Sequence, residues 1–415
     1  MSKFRKTLFI FHRDLRLFDN TGLMNIDKCS NKIIPTFIFD PKQLEAKYKS
    51  NNCFQFMAES LIDLNKQLRK YNSHLHMFYG KPWNVVKDLI VKDNIDSVCV
   101  NLDYSVYSRY REGRIKKICD FHNIPFMYYE DLVLNNIDSI KTSSNTPYKV
   151  FTPYYRKAKL LKIRKPIKYK YKNLSNSKLI TKQIISFDKL YKYNKYLYIH
   201  GGRIEALKIL NSIKKFKNYN NERNIPSIDT TLLSPHNKFG TVSIRELYYT
   251  IRTKLGSNNE LLKQLYWRDF YYNQIHFFKE YGSLVFDKKY NNIKWKNDKK
   301  LFDKWKNGDT GFPLVDSAMI QLNKTGWIHN RLRMIVASVL TKVYNIDWRL
   351  GERYFKEKLV DYDITQNIMN WAWVSSEASF SNPFFKTLNP ISQTKRFDPI
   401  CEYISKWIDI NDCKK

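Results

Sequence analysis

No apolar run in the 415 residues reaches the roughly 20 that a membrane-spanning helix needs, so no membrane association is expected. The six cysteines (Cys29, Cys53, Cys99, Cys119, Cys401 and Cys413) lie far apart and form no CxxC. That spacing excludes a zinc knuckle or an iron–sulfur ligand set and suits reduced thiols. No GxGxxG follows the first apolar run, which excludes a dinucleotide fingerprint, and there is no internal repeat. The stretch MSKFRKTLFIFHRDLRLFDN passes from a short apolar segment straight into charge, without the small-residue cleavage site of a secretory leader. An intracellular protein is expected, its compartment left open. Acids are scarce: 39 Asp and Glu against 72 Lys and Arg leave a net charge of +33. Such an excess suits a polyanion partner, nucleic acid first. A chain crowded with Lys, Asn, Tyr and Ile also follows from AT-rich coding, so charge alone leaves both readings open.

What is present describes a globular protein, 43% hydrophobic and 27% charged, long enough for two or three domains. Within the first 130 residues or so, KTLFIF, KIIPTFIF, HLHMFYG, DSVCVNL and IPFMYY read as strands. Segments between them, such as FMAESLIDLNKQLRKY, carry the 3.6-residue spacing of helices. That alternation predicts an α/β domain with a doubly wound parallel sheet over residues 1–134. The pattern dissolves over 135–200, which includes the basic run KAKLLKIRKPIKYKYK at Lys157–Lys172. A solvated interdomain linker is favoured there over a DNA-binding arm. From 201 to 415 the spacing is helical, as in GRIEALKIL, VSIRELYYTI, LLKQLYWRDFYYNQIHFF and NRLRMIVASVLTKVY. An all-α domain is predicted.

Eight of the nine tryptophans (Trp267, Trp295, Trp305, Trp327, Trp348, Trp371, Trp373 and Trp407) fall in that second half. Both halves need a core, so the asymmetry points to a pocket for something flat and aromatic. In GWIHNRLRMIVASVL, from Gly326, a helix would put Trp327, Asn330, Arg331 and Met334 on one stripe with Arg333 beside it. Buried polar groups need partners, so such a mixed stripe makes a better cavity wall than a core face. A half-exposed helix with its arginines in water is the alternative. In LVDYDITQNIMNWAWVSS, from Leu359, Asp361 and Asp363 lack a third metal ligand at suitable spacing, and a carboxylate paired with Arg333 is more economical. TTLLSPHNKFG, Thr230 to Gly240, is a hydroxyl-rich turn suited either to a phosphate or to a plain helix start.

Taken together with HRDLRLFDN at His12, YKVFTPYYRKA at Tyr148 and NPISQTKRFDPICEYI at Asn389, these strings make the chain closely resemble the cryptochrome/photolyase family. The match is collinear over nearly the whole length, and within the family it is most like class I enzymes that split cyclobutane pyrimidine dimers. The resemblance implies FAD in the helical domain and UV-damaged DNA as partner, with a monomer expected. Tyr219, Thr230 and Ser234 match positions that hold the cofactor's phosphates and ribityl chain. Arg333 and Asp361 match an ion pair beside the isoalloxazine, Asp363 its companion acid, and Asn367 the residue facing flavin N5. Trp371, Trp348 and Trp295 match an indole relay to the surface.

The resemblance also implies the lesion site. Trp267 and Trp373 match the two indoles that flank a flipped dimer, while Arg223, Arg268, Arg331 and Lys386 match positions around the lesion and its phosphates. Asn330 and Met334 stand where (6-4) repair enzymes carry a histidine pair, and they are what class I dimer repairers carry. Gln264 runs the other way, standing where class I enzymes have glutamate. An amide still bonds thymine but without charge assistance. Ser108 stands where folate-using relatives place a carboxylate, so the antenna stays open between folate, deazaflavin and none. The absence of a long tail beyond the motifs favours repair over signalling.

Overall fold

The computed structural model describes residues 4–45, 50–184, 186–187, 190–278, 293–376 and 387–409. Five strands, β1 (Thr7–Ile10), β2 (Ile33–Phe39), β3 (His76–Tyr79), β4 (Ser97–Asn101) and β5 (Phe126–Tyr129), form one sheet in the order β3-β2-β1-β4-β5. Every pairing is parallel, as an alternation of strand and helix requires. β1, β2 and β4 are buried along their whole length, which is why they read as continuous apolar runs. Pro35 is tolerated within β2 because β3 pairs only from Thr36 onward, so no ladder bond is lost on that side.

Every described strand precedes residue 130, and the helices after residue 200 run from Arg203–Asn211 to Pro390–Phe397. YKVFTPYYRKA departs from the irregular reading of 135–200: Phe151–Ala158 is a helix. Only Phe151, Tyr154 and Ala158 are buried on it. With apolar residues at just two turns, its period was too short to register. Four cysteines, Cys29, Cys53, Cys99 and Cys119, are free, whereas Cys401 is disulfide-bonded, which corrects the reading of all six as reduced thiols.

The loop after β1, HRDLRLFDN, joins sheet to helices through buried charge. Arg16 donates to Asp131 (2.5 Å), Arg245 donates to both Asp131 (2.5 Å) and Asp19 (2.8 Å), and Arg164 reaches Asp19 at 2.7 Å. Burial alone would raise the Asp131 carboxyl, but two guanidinium groups outweigh it and hold it well below the usual carboxylate range. Gly240 ends the helix Ser234–Phe239 at φ +63, where a Cβ would lie 2.1 Å from the Arg13 carbonyl oxygen. Only glycine lets that loop approach.

Arg13 also donates to Asp363 and to Tyr272, and Tyr272 donates to Asp363. Burial pushes the Asp363 carboxyl up; Arg13 and these hydrogen bonds outweigh it and leave it lowered. A carboxyl whose folded pKa is depressed stabilises fully above its unfolded pKa, and that contribution is lost as pH falls through the folded value. Asp363→Asn is therefore expected to unfold about 3 kcal/mol more easily at neutral pH, because Arg13 is left buried without its partner. The gap to the parent should begin to narrow below about pH 4, the usual carboxylate range, and close only as pH falls through the lowered folded value. Denaturant melts at pH 7 and pH 3 check this; an equal gap at both would place the stabilisation elsewhere.

Candidate functional site

Helices 244–277 and 330–375 enclose a cavity of about 510 Å³. Its wall collects Tyr219, Thr230, Ser234, Arg333, Asp361, Asp363, Asn367 and Trp371, together with Arg223, Gln264, Trp267, Arg268, Asn330, Met334 and Trp373. Of the residues singled out in the sequence, Arg331, Trp348 and Trp295 are not on this wall, and Lys386 lies outside the described residues.

The local sequence explains the difference. The helix Asn330–Ser338 starts one turn later than the stripe assumed, with the His329 side chain accepting from Arg331 N as N-cap. Asn330, Arg333 and Met334, at i, i+3 and i+4, share the cavity face. Trp327 lies before the helix and stacks on Tyr198 at 5.1 Å in the core cluster that continues into the sheet. Arg331 turns aside, donating to Asn224 at 2.6 Å and lying 4.7 Å over Phe397. His329 does not supply the missing histidine chemistry. Burial, then Arg333 and Arg331, lower it to about 4, so it is neutral and serves as a cap.

Asp361 is the hinge of one end. Its Oδ2 accepts from Arg333 at 2.9 Å and from the Ser234 hydroxyl at 2.5 Å, while its buried Oδ1 has no protein partner. Two residues on, Asp363, on the same wall, has different partners, capping the helix Ile364–Ser375 and binding Arg13. The paired acids thus do separate work. Among the described residues, no group of three His, Cys, Asp or Glu side chains could hold a metal.

Asn367 is oriented by a residue that the sequence reading passed over. Its Nδ2 donates to Glu352 Oε1 at 3.1 Å and to the Glu352 carbonyl at 3.3 Å, and Tyr362 donates to the same carboxyl at 3.0 Å. With the amide nitrogen so engaged, its oxygen is the atom free for the cavity. Burial raises Glu352 despite those hydrogen bonds. Glu352 sits in no recognisable string; only its neighbours in space reveal it.

The tryptophans divide into wall and core. Trp348 and Trp305 are completely buried, Trp295 packs partly buried in the same cluster, and Trp371 reaches from that cluster to the cavity. The Trp371 ring meets Phe355 at 5.0 Å and Trp305 at 6.3 Å, both edge-on. Part of the Trp excess is therefore ordinary core, which corrects the inference that the indoles mark a pocket alone. Gly351 matters here: a Cβ would stand 2.3 Å from Trp371 and 2.5 Å from Leu340. Gly351→Ala is expected to cost about 1–3 kcal/mol of stability, read by thermal melts. An unchanged melting temperature would show that the Trp371 ring need not sit where it does.

At the opposite end, Trp267 lies flat on Phe151 with centroids 3.6 Å apart and an angle of 10°. One indole face is thus backed by protein. Gln264 and Arg268 both reach the wall, but Arg268 spends its guanidinium on the Leu132 carbonyl (2.8 Å), the Asn237 carbonyl (3.3 Å) and Asp269 (3.0 Å). Arg223 is the freer cation, 3.5 Å from Glu260 and half-buried. Ser108, the antenna position, is buried and donates to Asp103 at 2.7 Å beside the Ser105 cap of the helix Val106–Phe121.

Comparison with known proteins follows this geometry. The chain matches the family model described as DNA photolyase over residues 7–169 and that described as the FAD binding domain of DNA photolyase over 261–412. It is 35% identical to the deoxyribodipyrimidine photo-lyase of Alkalihalophilus pseudofirmus, covering 96% of this chain and 86% of that one. Among solved structures, an archaeal photolyase from Sulfolobus tokodaii with two FAD molecules superposes with a TM-score of 0.88 at 36% identity, over 97% of this chain and 90% of that chain. A class III photolyase from Agrobacterium tumefaciens gives 0.90 at 28% identity, over 98% and 87%.

Proposed function

Because the chain belongs to the DNA photolyase family, a deoxyribodipyrimidine photo-lyase with FAD as cofactor, we propose that its lesion is the cyclobutane pyrimidine dimer and that the dimer enters the cavity flipped out of the strand. The carrying observation is the helix face Asn330–Met334, which meets Trp267, Trp373 and Gln264 across one cavity and presents no histidine.

The residues present suit FAD. The unpartnered Asp361 Oδ1 can accept from a ring N–H or a ribityl hydroxyl, Thr230 and Ser234 offer hydroxyls to the chain and phosphates, and Arg333 fixes Asp361. When bound and reduced, FAD supplies an electron lent to the lesion under light and taken back once the ring bonds have broken. The protein's share is position and electrostatics. Glu352 holds Asn367 so that its oxygen is available to a protonated N5. Trp267 offers its free face to the flipped base, and a dimer, already poorly paired, costs little to extrude. Trp371 on the wall, with Trp348 and Trp295 in the same core cluster, would provide indoles from which electrons replenish the site.

The test is to illuminate the reduced holoprotein with UV-irradiated oligothymidylate and follow absorbance near 260 nm. Light-dependent recovery is expected. No recovery with flavin bound and reduced would overturn the dimer assignment. Gln264 on the cavity wall favours (6-4) repair as the second reading, and the same assay on a (6-4)-bearing strand decides between them.

A further inference from the structure

From Ser139 to Phe187 the chain has 13 Lys and Arg and no acid. With 39 acids in 415 residues, a stretch of that length would hold about five on average. AT-rich coding enriches lysine but does not strip out acids, so it does not explain the gap. Within it, the run Lys157–Lys172 is a fixed feature. Arg164 donates to Asp19 at 2.7 Å and Ile167 N to the same carboxyl at 3.0 Å. Beyond it, the Tyr169 hydroxyl donates to Asp27 (3.1 Å), the Tyr171 hydroxyl to the Leu17 carbonyl (2.6 Å) and Asn173 N to Asp27 (2.9 Å).

Tyr169 is half-buried and Tyr171 buried, whereas Lys168, Lys170 and Lys172 on either side of them are exposed, as are Lys162 and Lys165. None of these five ammonium groups is paired with an acid among the described residues. The protein's own acids anchor the backbone and leave the lysines free, the reverse of a surface neutralised by internal ion pairs. The run begins at the helix that backs the cavity wall. Phe151 of the helix Phe151–Ala158 backs Trp267, Tyr155 of that helix stacks on Phe151 at 5.6 Å, and Lys159 and Lys263 lie 5.5 and 5.9 Å over Tyr155.

We propose that Lys162–Lys172 is a rail for the phosphate backbone of duplex DNA leading away from the cavity. Extended chain advances at most about 3.5 Å per residue, so the ten steps span up to about 35 Å, about ten base pairs at 3.4 Å each. The rail rests on damaged DNA as the substrate but carries no part of lesion recognition, so it is tested with undamaged duplex. Failure of dimer repair would leave it standing.

The holoprotein and a Lys165→Gln, Lys168→Gln, Lys170→Gln, Lys172→Gln variant are titrated with an intact 36-base-pair duplex across a salt series, and with a 10-nucleotide dimer-bearing strand. The variant is expected to lose about 2–4 units from the slope of log K against log salt on the long duplex, at about 0.9 per phosphate contact. Affinity for the short strand and flavin absorbance should not change. Equal slopes overturn the proposal, and so does an equal loss on the short strand, which would put these lysines at the cavity. In the unsubstituted holoprotein, the long duplex should shield Lys165–Lys172 from acetylation by an amine-reactive reagent. Shielding by anionic lipid vesicles but not by duplex overturns it in favour of a membrane surface.

Discussion

Arg333→Ala is expected to yield colourless protein. Arg333 is the cation on Asp361, and Asp361 is buried with one oxygen already lacking a protein partner. Removing the guanidinium leaves a buried carboxylate with only the Ser234 hydroxyl. Breaking a buried pair from one side costs about 3–5 kcal/mol; Arg333 is 26% exposed, which argues for the lower end. Flavin would meet an unpaired charge where a fixed ion pair should be. The measurement is the ratio of flavin to protein absorbance after purification, with a thermal melt alongside. The double variant Arg333→Ala, Asp361→Asn separates the two effects: with both charges gone it should recover much of the stability and stay colourless. A yellow Arg333→Ala protein with the parent's flavin content would remove the pair from the cofactor's site.

Trp267→Ala is expected to do the opposite, keeping the yellow flavin while binding damaged and intact DNA alike. Stacking of a base on an aromatic ring is worth about 1–3 kcal/mol, or roughly 5- to 150-fold in affinity at 1.4 kcal/mol per tenfold. That range should appear as lost preference for the dimer. The geometry sharpens this: Phe151 holds one face of the indole, so the stacking surface is pre-set, and a base meets only the other face. Phe151→Leu should therefore lose part of the preference with Trp267 still present. Competition between irradiated and unirradiated oligonucleotides reads both variants, and undiminished preference in Trp267→Ala would rule out the stacking role.

How much was legible beforehand varies with the physics of each feature. The strands announced themselves because a parallel sheet buried on both faces is written as unbroken apolar runs. The helix Glu260–Phe277 was equally plain, being long enough for its period to show. The helix Phe151–Ala158 was missed for the converse reason. At the site, the pairing of a carboxylate with Arg333 was readable as more economical than a metal, and the family resemblance pointed to Asp361, which is the acid that Arg333 meets. The parting of Asp361 from Asp363 was not, since it depends on Arg13, 350 residues away in sequence. Glu352 and Gly351 carry no local signal. Their importance lies in touching Asn367 and Trp371.

By itself, then, the sequence determined the alternation of strands and helices, the excess of positive charge and the residue types now found on the cavity wall. These are properties of composition and period, which a chain carries before it folds. The tertiary structure decided which of two neighbouring acids meets which arginine, which indoles wall the cavity and which merely fill the core. It also decided which polar atom of the Asn367 or Asp361 side chain is left over. Such choices turn on which groups lose water together and which partners remain within hydrogen-bond reach, and those distances exist only once sheet and helices have closed on one another.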